Sequence, residues 1–542
     1  MNIRGPIGLL QSPLAVLGAG ILLLLAAAGC SPHQRVHRQH QNAVSKEFEP
    51  LTRRIEFSVP ADTFANNQLS REEVEADLDE LEWLLKHRYA YLTRSVVDYR
   101  AALDSIRCSV GTGIRRGTLA WQLQKLLALF GDGHTRVARP SATQLCSKFL
   151  PFLPTEAQGR LVAINAASNE LLDAEHPFLL RIDEVEVEKW LQAASQTVAI
   201  GSTQYVRRAS IGRLRDVESL RKELGLAPSE RVRVELGSAS GESRKTLNLP
   251  LADKRPTQGR RPPGNTNSLP IARVLPQNIG YLQLYPIMSD EPQFQEALVA
   301  AMGTFRNTQG LIVDVRGNGG GSRWPLRTLF PFFLAAEDFP KVLNVAAYRL
   351  GHRSDILEDR WLYPADWKGW SRAEKEAIQR FARNFRPQWQ LSRNQFSDWH
   401  YFVIGPSREP GRYHYQRPVV ILMDSRNFSA ADIFLGAFKG QRNVTLMGTP
   451  SGGGSGRYES FRLLHSNIEV RLSSMVSFQP SGALYEGQGI QPDVLIEPTI
   501  TDCLGKTDST LETAVQRIVS ESANRKGGGP AQSYLLVGGR SW

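Results

Sequence analysis

Ser429 stands in the run Val-Val-Ile-Leu-Met-Asp-Ser-Arg-Asn-Phe-Ser-Ala-Ala-Asp-Ile-Phe, residues 419–434. The apolar, β-branched opening at 419–423 has the composition of a buried parallel strand, a short polar turn follows, and 430–439 reads as a helix. The serine therefore falls at a strand–turn–helix junction. There, unbonded backbone N–H groups and the positive end of the helix dipole would stabilise an alkoxide or a tetrahedral oxyanion. The same residues have a plain structural use, since Ser429 and Asp432 also spell the Ser-x-x-Asp of a capping box. Three other segments bring complementary groups. Gly131-Asp132-Gly133-His134-Thr135 follows an amphipathic helical run at 119–130. Asp314-Val315-Arg316-Gly317-Asn318-Gly319-Gly320-Gly321 follows an apolar strand at 311–313. Tyr485-Glu486-Gly487-Gln488-Gly489-Ile490-Gln491-Pro492-Asp493 lies near the end of the folded region. A hydroxyl, an imidazole, a carboxylate and a glycine-rich loop at element ends are the parts of an acyl-transfer site.

A serine hydroxyl is a weak nucleophile near neutral pH, and an imidazole is suited to take its proton during attack and return it to a leaving amine. Of the ten histidines, only His134 lies in such a segment; His33, His37 and His40 fall in a polar leader. Glu486 could hold the imidazole directly or through an intervening hydroxyl. Asp132 suits the bracing of loop amides, Asp314 and Arg316 suit an ion pair under the glycine loop, and Asp432 suits a helix cap. These last four are structural assignments. The run Gly319-Gly320-Gly321 lacks the spacing and the terminal Lys-Ser/Thr of a phosphate-binding loop, and no zinc-ligand spacing occurs. Neither a cofactor nor a metal is expected.

Taken together, these segments resemble the tail-specific, or C-terminal processing, family of serine peptidases. The family's marks are Asp-Gly-His-Thr, Asp-x-Arg-x-Asn-x-Gly-Gly, a serine followed three residues later by an acid, and Gly-x-Gly-Ile-x-Pro-Asp. All four occur here in the family's order, across roughly residues 70 to 500. One design in the family uses a serine–lysine dyad, with the lysine closing a Gly-x-Pro-x-x-Gly-Lys element. The matching stretch here is Gly448-Thr449-Pro450-Ser451-Gly452-Gly453-Gly454, so a glycine stands where the lysine would be. Lys439, at the expected end of the serine helix, is a poor substitute. The chain is more similar to the tricorn-core branch, which implies Ser429 as nucleophile, His134 as base and Glu486 in the relay. The implied oxyanion donors are the amide of Ala430 and a loop glycine, Gly320 in preference to Gly319.

The elements that must position these groups divide as follows. Residues 67–150 form an N-terminal helical cap that delivers His134 from its last loop. Residues 151–253 alternate short strands (160–164, 178–182, 231–236, 246–249) with a helix at 216–224, where the family carries a PDZ domain; no carboxylate-binding Gly-Leu-Gly-Phe loop is present. A linker at 254–270 leads to the catalytic domain, 271–505. Its strands are expected at 279–284, 311–315, 419–423, 444–447 and 468–476, and a tryptophan-rich insertion, 337–401, interrupts it as a lid, a substrate wall or a packing cluster. A helix and tail, 506–542, close the chain. The fold class is α/β and multidomain, and the resemblance implies a crotonase- or ClpP-like core with a helical cap and a PDZ-like domain.

Residues 1–29 read as a signal peptide, because the apolar run at 14–29 is short for a membrane span. Cys30 after Ala27-Ala28-Gly29 resembles a bacterial lipobox cysteine, which implies a lipid anchor, and Ser31 then favours the periplasmic side of the outer membrane. A polar tether, 30–66, follows. The net charge is +11, yet the basic residues are dispersed and no nucleic-acid motif accompanies them, so nucleic acid is not an expected partner. The remaining cysteines, Cys108, Cys146 and Cys503, are too few for a disulfide-built scaffold. The expected function is hydrolysis of extended or unfolded polypeptides in the cell envelope. A non-catalytic ligand-binding protein on the same fold, or an esterase-type acyl hydrolase, remain alternatives.

Overall fold

The computed structural model describes residues 68–138, 147–257, 269–284, 289–407, 409 and 412–526. The chain divides into two units, 1–47 and 48–542, and every described residue belongs to the second. The expected signal peptide, Cys30 and the whole of the polar tether lie outside the described residues, as do most of the linker and the tail beyond 526. Among the described residues no helix is long and apolar enough to cross a membrane.

The central sheet has strand order Ile271–Leu275, Ile279–Gln283, Gly310–Asp314, Val419–Met423, Val444–Gly448, Val494–Leu495. The first two strands pair antiparallel and the rest parallel. Gly310–Asp314 and Val419–Met423 are buried at every residue because both faces of the sheet are covered. One face packs on Pro292–Phe305 and on the serine helix Ala430–Phe438. The other packs on Ala514 and Ile518 of the C-terminal helix Ser509–Lys526. Residues 150–236 build a separate core around Trp190, between an antiparallel sheet and three short helices. The N-terminal helices Arg71–Arg88, Tyr99–Ser109 and Arg116–Ala128 share a core with residues 461–484.

One expectation changes here. The strand expected at 468–476 is two strands, Glu469–Ser473 and Met475–Phe478, in different sheets. The chain changes partners at Ser474, whose N–H donates to Arg457 O at 2.7 Å and whose carbonyl accepts from Arg349 N–H at 2.8 Å. The segment 337–401, expected as an insertion in the core, falls between the neighbouring central strands Gly310–Asp314 and Val419–Met423 and supplies the strand Lys341–Tyr348. That strand lies between His400–Ile404 and Met475–Phe478 in a four-stranded antiparallel sheet. Trp367 stacks on Tyr363 at 3.9 Å within the segment, whereas Trp361, Trp389 and Trp399 meet rings outside it, at Trp324, Tyr91 and Phe478.

The C-terminal helix is tied to the sheet by charge. Arg316 pairs with Asp314 at 2.7 Å and with Asp508, at the start of the helix, at 2.7 Å, while Tyr281 Oη–H donates to Asp314 at 2.9 Å. Arg316→Met would leave the buried Asp314 carboxylate with a hydroxyl but no cation. A loss of about 3 kcal/mol is expected, measured as a lowered melting temperature in calorimetry.

Candidate active site

Strand Val419–Met423 ends in a turn knitted by two asparagines. Asn427 Nδ2 donates to Val315 O and to Asn318 O, and Asn318 Nδ2 donates to Leu284 O. Asp424 N–H donates to Asn427 Oδ1 at 2.8 Å, and Gly317 N–H to Asp424 Oδ1 at 3.0 Å. These bonds clamp the glycine-rich loop to the serine turn. Ser429 follows with φ 60° and ψ −120°, a backbone state that a side chain rarely adopts and that the clamp must impose. Its side chain makes no capping bond. The capping-box alternative is therefore corrected. Asp432 is buried beneath the turn, where it accepts from Ser451 Oγ–H and from Gly454 N–H at 3.0 Å. Burial raises its carboxyl to about 7. It joins the serine helix to the 451–456 loop, and Ser451 in turn accepts from Ile490 N–H at 2.7 Å beside the Glu486 turn.

His134 arrives from the end of helix Arg116–Ala128. The two-residue strand Arg136–Val137 pairs with Glu469–Ser473, and Ser473 N–H donates to Thr135 Oγ1 at 3.1 Å. Asp132 accepts from His134 N–H at 3.0 Å and from Thr135 Oγ–H at 2.6 Å, which braces the loop as expected from sequence. The ring lies near Phe428 at 4.8 Å and Tyr458 at 6.2 Å, and Phe428 stacks on Tyr205 at 5.4 Å. So held, His134 Nε2 is 3.2 Å from Ser429 Oγ. The serine is half-buried and the histidine buried. Burial, followed by the charges of Arg136 and Arg360, lowers the imidazole to about 3, so the ring is neutral and its nitrogen can accept a proton.

Glu486 is 2 % exposed and one of its oxygens accepts from Gly133 N–H at 2.9 Å. Its other oxygen and His134 Nδ1 are buried without a direct hydrogen-bond partner. Burial and the neighbouring Asp132 carboxylate push Glu486 well above the usual carboxylate range. Burial of Tyr89 and Tyr91, with the same two carboxylates nearby, raises both phenols. Ligand atoms of Asp132, His134 and Glu486 lie within 4.8 Å of one another. Such a donor set could suit a small divalent ion. Here both oxygens of Asp132 and one of Glu486 already accept bonds from the His134 loop, so the set buttresses the imidazole.

The glycine loop lies directly against Ser429. A Cβ on Gly320, which has φ +104°, would fall 2.8 Å from Ala430 N and 2.8 Å from Ser429 Cβ. The Gly320 amide donates to Asn318 Oδ1 at 2.8 Å, so the donor favoured from sequence is already engaged. Ala430 opens the serine helix, and Gly319 beside the loop is exposed. Gly454, at the position of the missing lysine, has no room for a side chain, since a Cβ there would lie 2.1 Å from the Phe428 ring. The ring that flanks His134 thus occupies the space a dyad lysine would need. Lys439 Nζ binds the Asp493 carboxylate and Gln491 O, away from the serine. Phe428, Asn427, Ser451 and Tyr205 were not found by sequence reasoning. Phe428 and Asn427 adjoin the nucleophile in the chain, but nothing in their types announces a stack or a clamp.

The chain is similar to known proteins in sequence over part of its length and in fold over most of it. A carboxy-terminal-processing protease of Bartonella bacilliformis is 30% identical over 118 residues, which is 21% of this chain and 27% of that relative's length. Mature CPAF shares the mixed α/β, multidomain fold at a TM-score of 0.59, with 18% identity over 84% of this chain and 98% of its own. CPAF complexed with lactacystin aligns at 0.58, with 18% identity over 84% of this chain and 99% of its own. Residues 278–496, which hold the glycine loop, Ser429 and Glu486, match the family model of peptidase family S41. Over that segment the chain is similar to peptidase family S41, a family of serine-type peptidases, and it spans about a quarter of the length of the curated relative it matches.

Proposed function

We propose that this protein is an endopeptidase that hydrolyses peptide bonds in extended or unfolded polypeptides, with Ser429 as nucleophile, His134 as base and Glu486 in the relay. The observation that carries this reading is the 3.2 Å contact between His134 Nε2 and Ser429 Oγ. Ser429 Oγ–H donates to Nε2, which takes the proton as Oγ attacks the substrate carbonyl carbon. The carbonyl oxygen becomes an oxyanion and accepts from the amides of Ala430 and of a loop glycine, Gly319 in the resting geometry. Collapse breaks the C–N bond, and the amine leaves with the proton from Nε2. Water then attacks the acyl-enzyme with the same base and releases the acid. The imidazolium formed in each step has carboxyl oxygens of Asp132 and Glu486 within 4.8 Å of the ring, and either group favours its charge when ionised.

Around this centre, residues 67–150 act as the cap that carries the base, 151–253 as a PDZ-like module, and 271–505 as a crotonase- or ClpP-like core. The antiparallel sheet and helices of the second module are compatible with a PDZ-like fold. An envelope location with a lipid on Cys30 rests on the sequence of 14–31 alone. The nucleophile–base contact disfavours a purely ligand-binding role.

Labelling with a fluorophosphonate probe is expected for the wild type and lost in Ser429→Ala; a folded wild type that resists labelling would overturn the assignment. In peptide turnover, Ser429→Ala and His134→Ala should each lower kcat by about 10⁴- to 10⁶-fold, and Glu486→Gln by roughly two orders of magnitude less. Because burial keeps the imidazole neutral well below the ordinary value of 6.5, activity should persist as pH falls through 6.5, with the acid limb of kcat/KM lying lower. An acid limb at or above 6.5 would contradict this. Gly320→Ala places a methyl against Ala430 N and Ser429 Cβ, and should lower kcat by about 10²-fold or more while circular dichroism stays unchanged.

A further inference from the structure

A cavity of about 270 Å³ opens beside the His134 loop, between Gly133 and the helix Thr203–Arg213. Five of its lining residues are arginines (Arg136, Arg208, Arg213, Arg215 and Arg255), and none is an aspartate or glutamate. Behind the wall, Asp216 pairs with Arg255 at 2.9 Å and with Arg213 at 3.6 Å. Arg215 donates to the carbonyls of Pro256 at 2.7 Å and Gly212 at 3.2 Å. Arg136 and Arg208 make no ion pair with the described residues. The guanidinium of Arg208 lies 5.3 Å from the Tyr205 ring centroid, and its Nε is buried without a hydrogen-bond partner. Asp424 is the carboxylate whose charge reaches Arg208, without an ion pair between them, and Arg426 opposes it; a guanidinium cannot shed its charge, so a desolvated one not paired to an anion is costly to keep. Its planar donor fork matches a carboxylate.

The cavity is coupled to the chemistry through two of its own walls. Gly133 adjoins His134 in the chain, and its N–H donates to Glu486. Tyr205, which carries Arg208 near one face, stacks on Phe428, which in turn flanks the His134 ring. Arg136 is close enough to His134 for its charge to be felt by the imidazole.

We propose that this cavity is a specificity subsite in which Arg208 and Arg136 bind a carboxylate of the polypeptide substrate, from either an acidic side chain near the scissile bond or the chain's C-terminus. The proposal rests on the peptidase reading above. It is tested on the full chain with fluorogenic peptides that differ only by Glu for Gln at successive positions around one scissile bond, each made as the C-terminal acid and the amide. Wild type should prefer Glu at one position, or the free acid, by about tenfold or more, expressed in KM. Arg208→Met should erase that ratio, Arg136→Met should reduce it, and Arg208→Lys should retain part of it. A Glu position effect assigns a side-chain carboxylate, and an acid-over-amide effect assigns the chain end. Equal KM for every pair would overturn the subsite while leaving the peptidase reading intact. If no peptide is cleaved, the peptidase reading fails on its own. Fluorescence anisotropy of the same peptides with Ser429→Ala then decides the subsite. Tighter binding of one acidic peptide, lost in Ser429→Ala/Arg208→Met, supports it, and equal binding of acidic and neutral peptides removes it.

Discussion

The contact between Ser429 and His134 spans 295 residues of chain, and the rest of the architecture serves to hold it. Its fastening is small. The two-residue strand Arg136–Val137 pairs with Glu469–Ser473, so the loop of a helical layer is stitched to a hairpin that shares its core. The Asn318–Asn427 clamp does the corresponding work on the other side, fixing the serine turn to the glycine loop in a positive-φ state that would relax if left alone. Each fastening uses backbone groups that must be satisfied in any case once buried, so accuracy at the site and satisfaction of the core are met by the same bonds.

The electrostatics follow from exclusion of water. His134, Glu486, Asp132 and Asp432 are all buried, and burial is the leading cause of every shift among them. The imidazole is thereby held neutral and the carboxyls upward, as the proposed role of His134 as a base requires. The arginines that line the flank of the site add a positive field to this dry interior. A neutral substrate would leave that field unanswered, whereas a carboxylate would complete it.

Some of this was legible before any fold was known. The buried parallel strand ending at Met423, the serine helix, the bracing of the His134 loop by Asp132 and the pairing of Asp314 with Arg316 all appear where residue types and periodicity indicated. Other features misread for physical reasons. Ser429-x-x-Asp432 has capping-box spelling, yet the backbone at Ser429 turns its hydroxyl to His134, and Asp432 turns inward to Ser451. The apolar run at 468–476 has no mark of the partner exchange at Ser474, because that exchange depends on Arg349 and Arg457 far away in the chain. The sheet that 337–401 builds could not be read in advance, since one partner of Lys341–Tyr348 is the distant strand Met475–Phe478.

What the sequence by itself determined is the inventory of chemistry: which groups could act, and that a lysine dyad was unavailable at Gly454. Those follow from residue type and from local periodicity, which neighbours in the chain control. Only the tertiary structure decided that Phe428 fills the lysine's place, that the Gly320 amide is already engaged, and that arginines 136 and 208, from different modules, face one cavity. The physical reason is that occupancy of space and pairing of charge are settled between residues distant in the chain, and residue type alone carries no record of which of them meet.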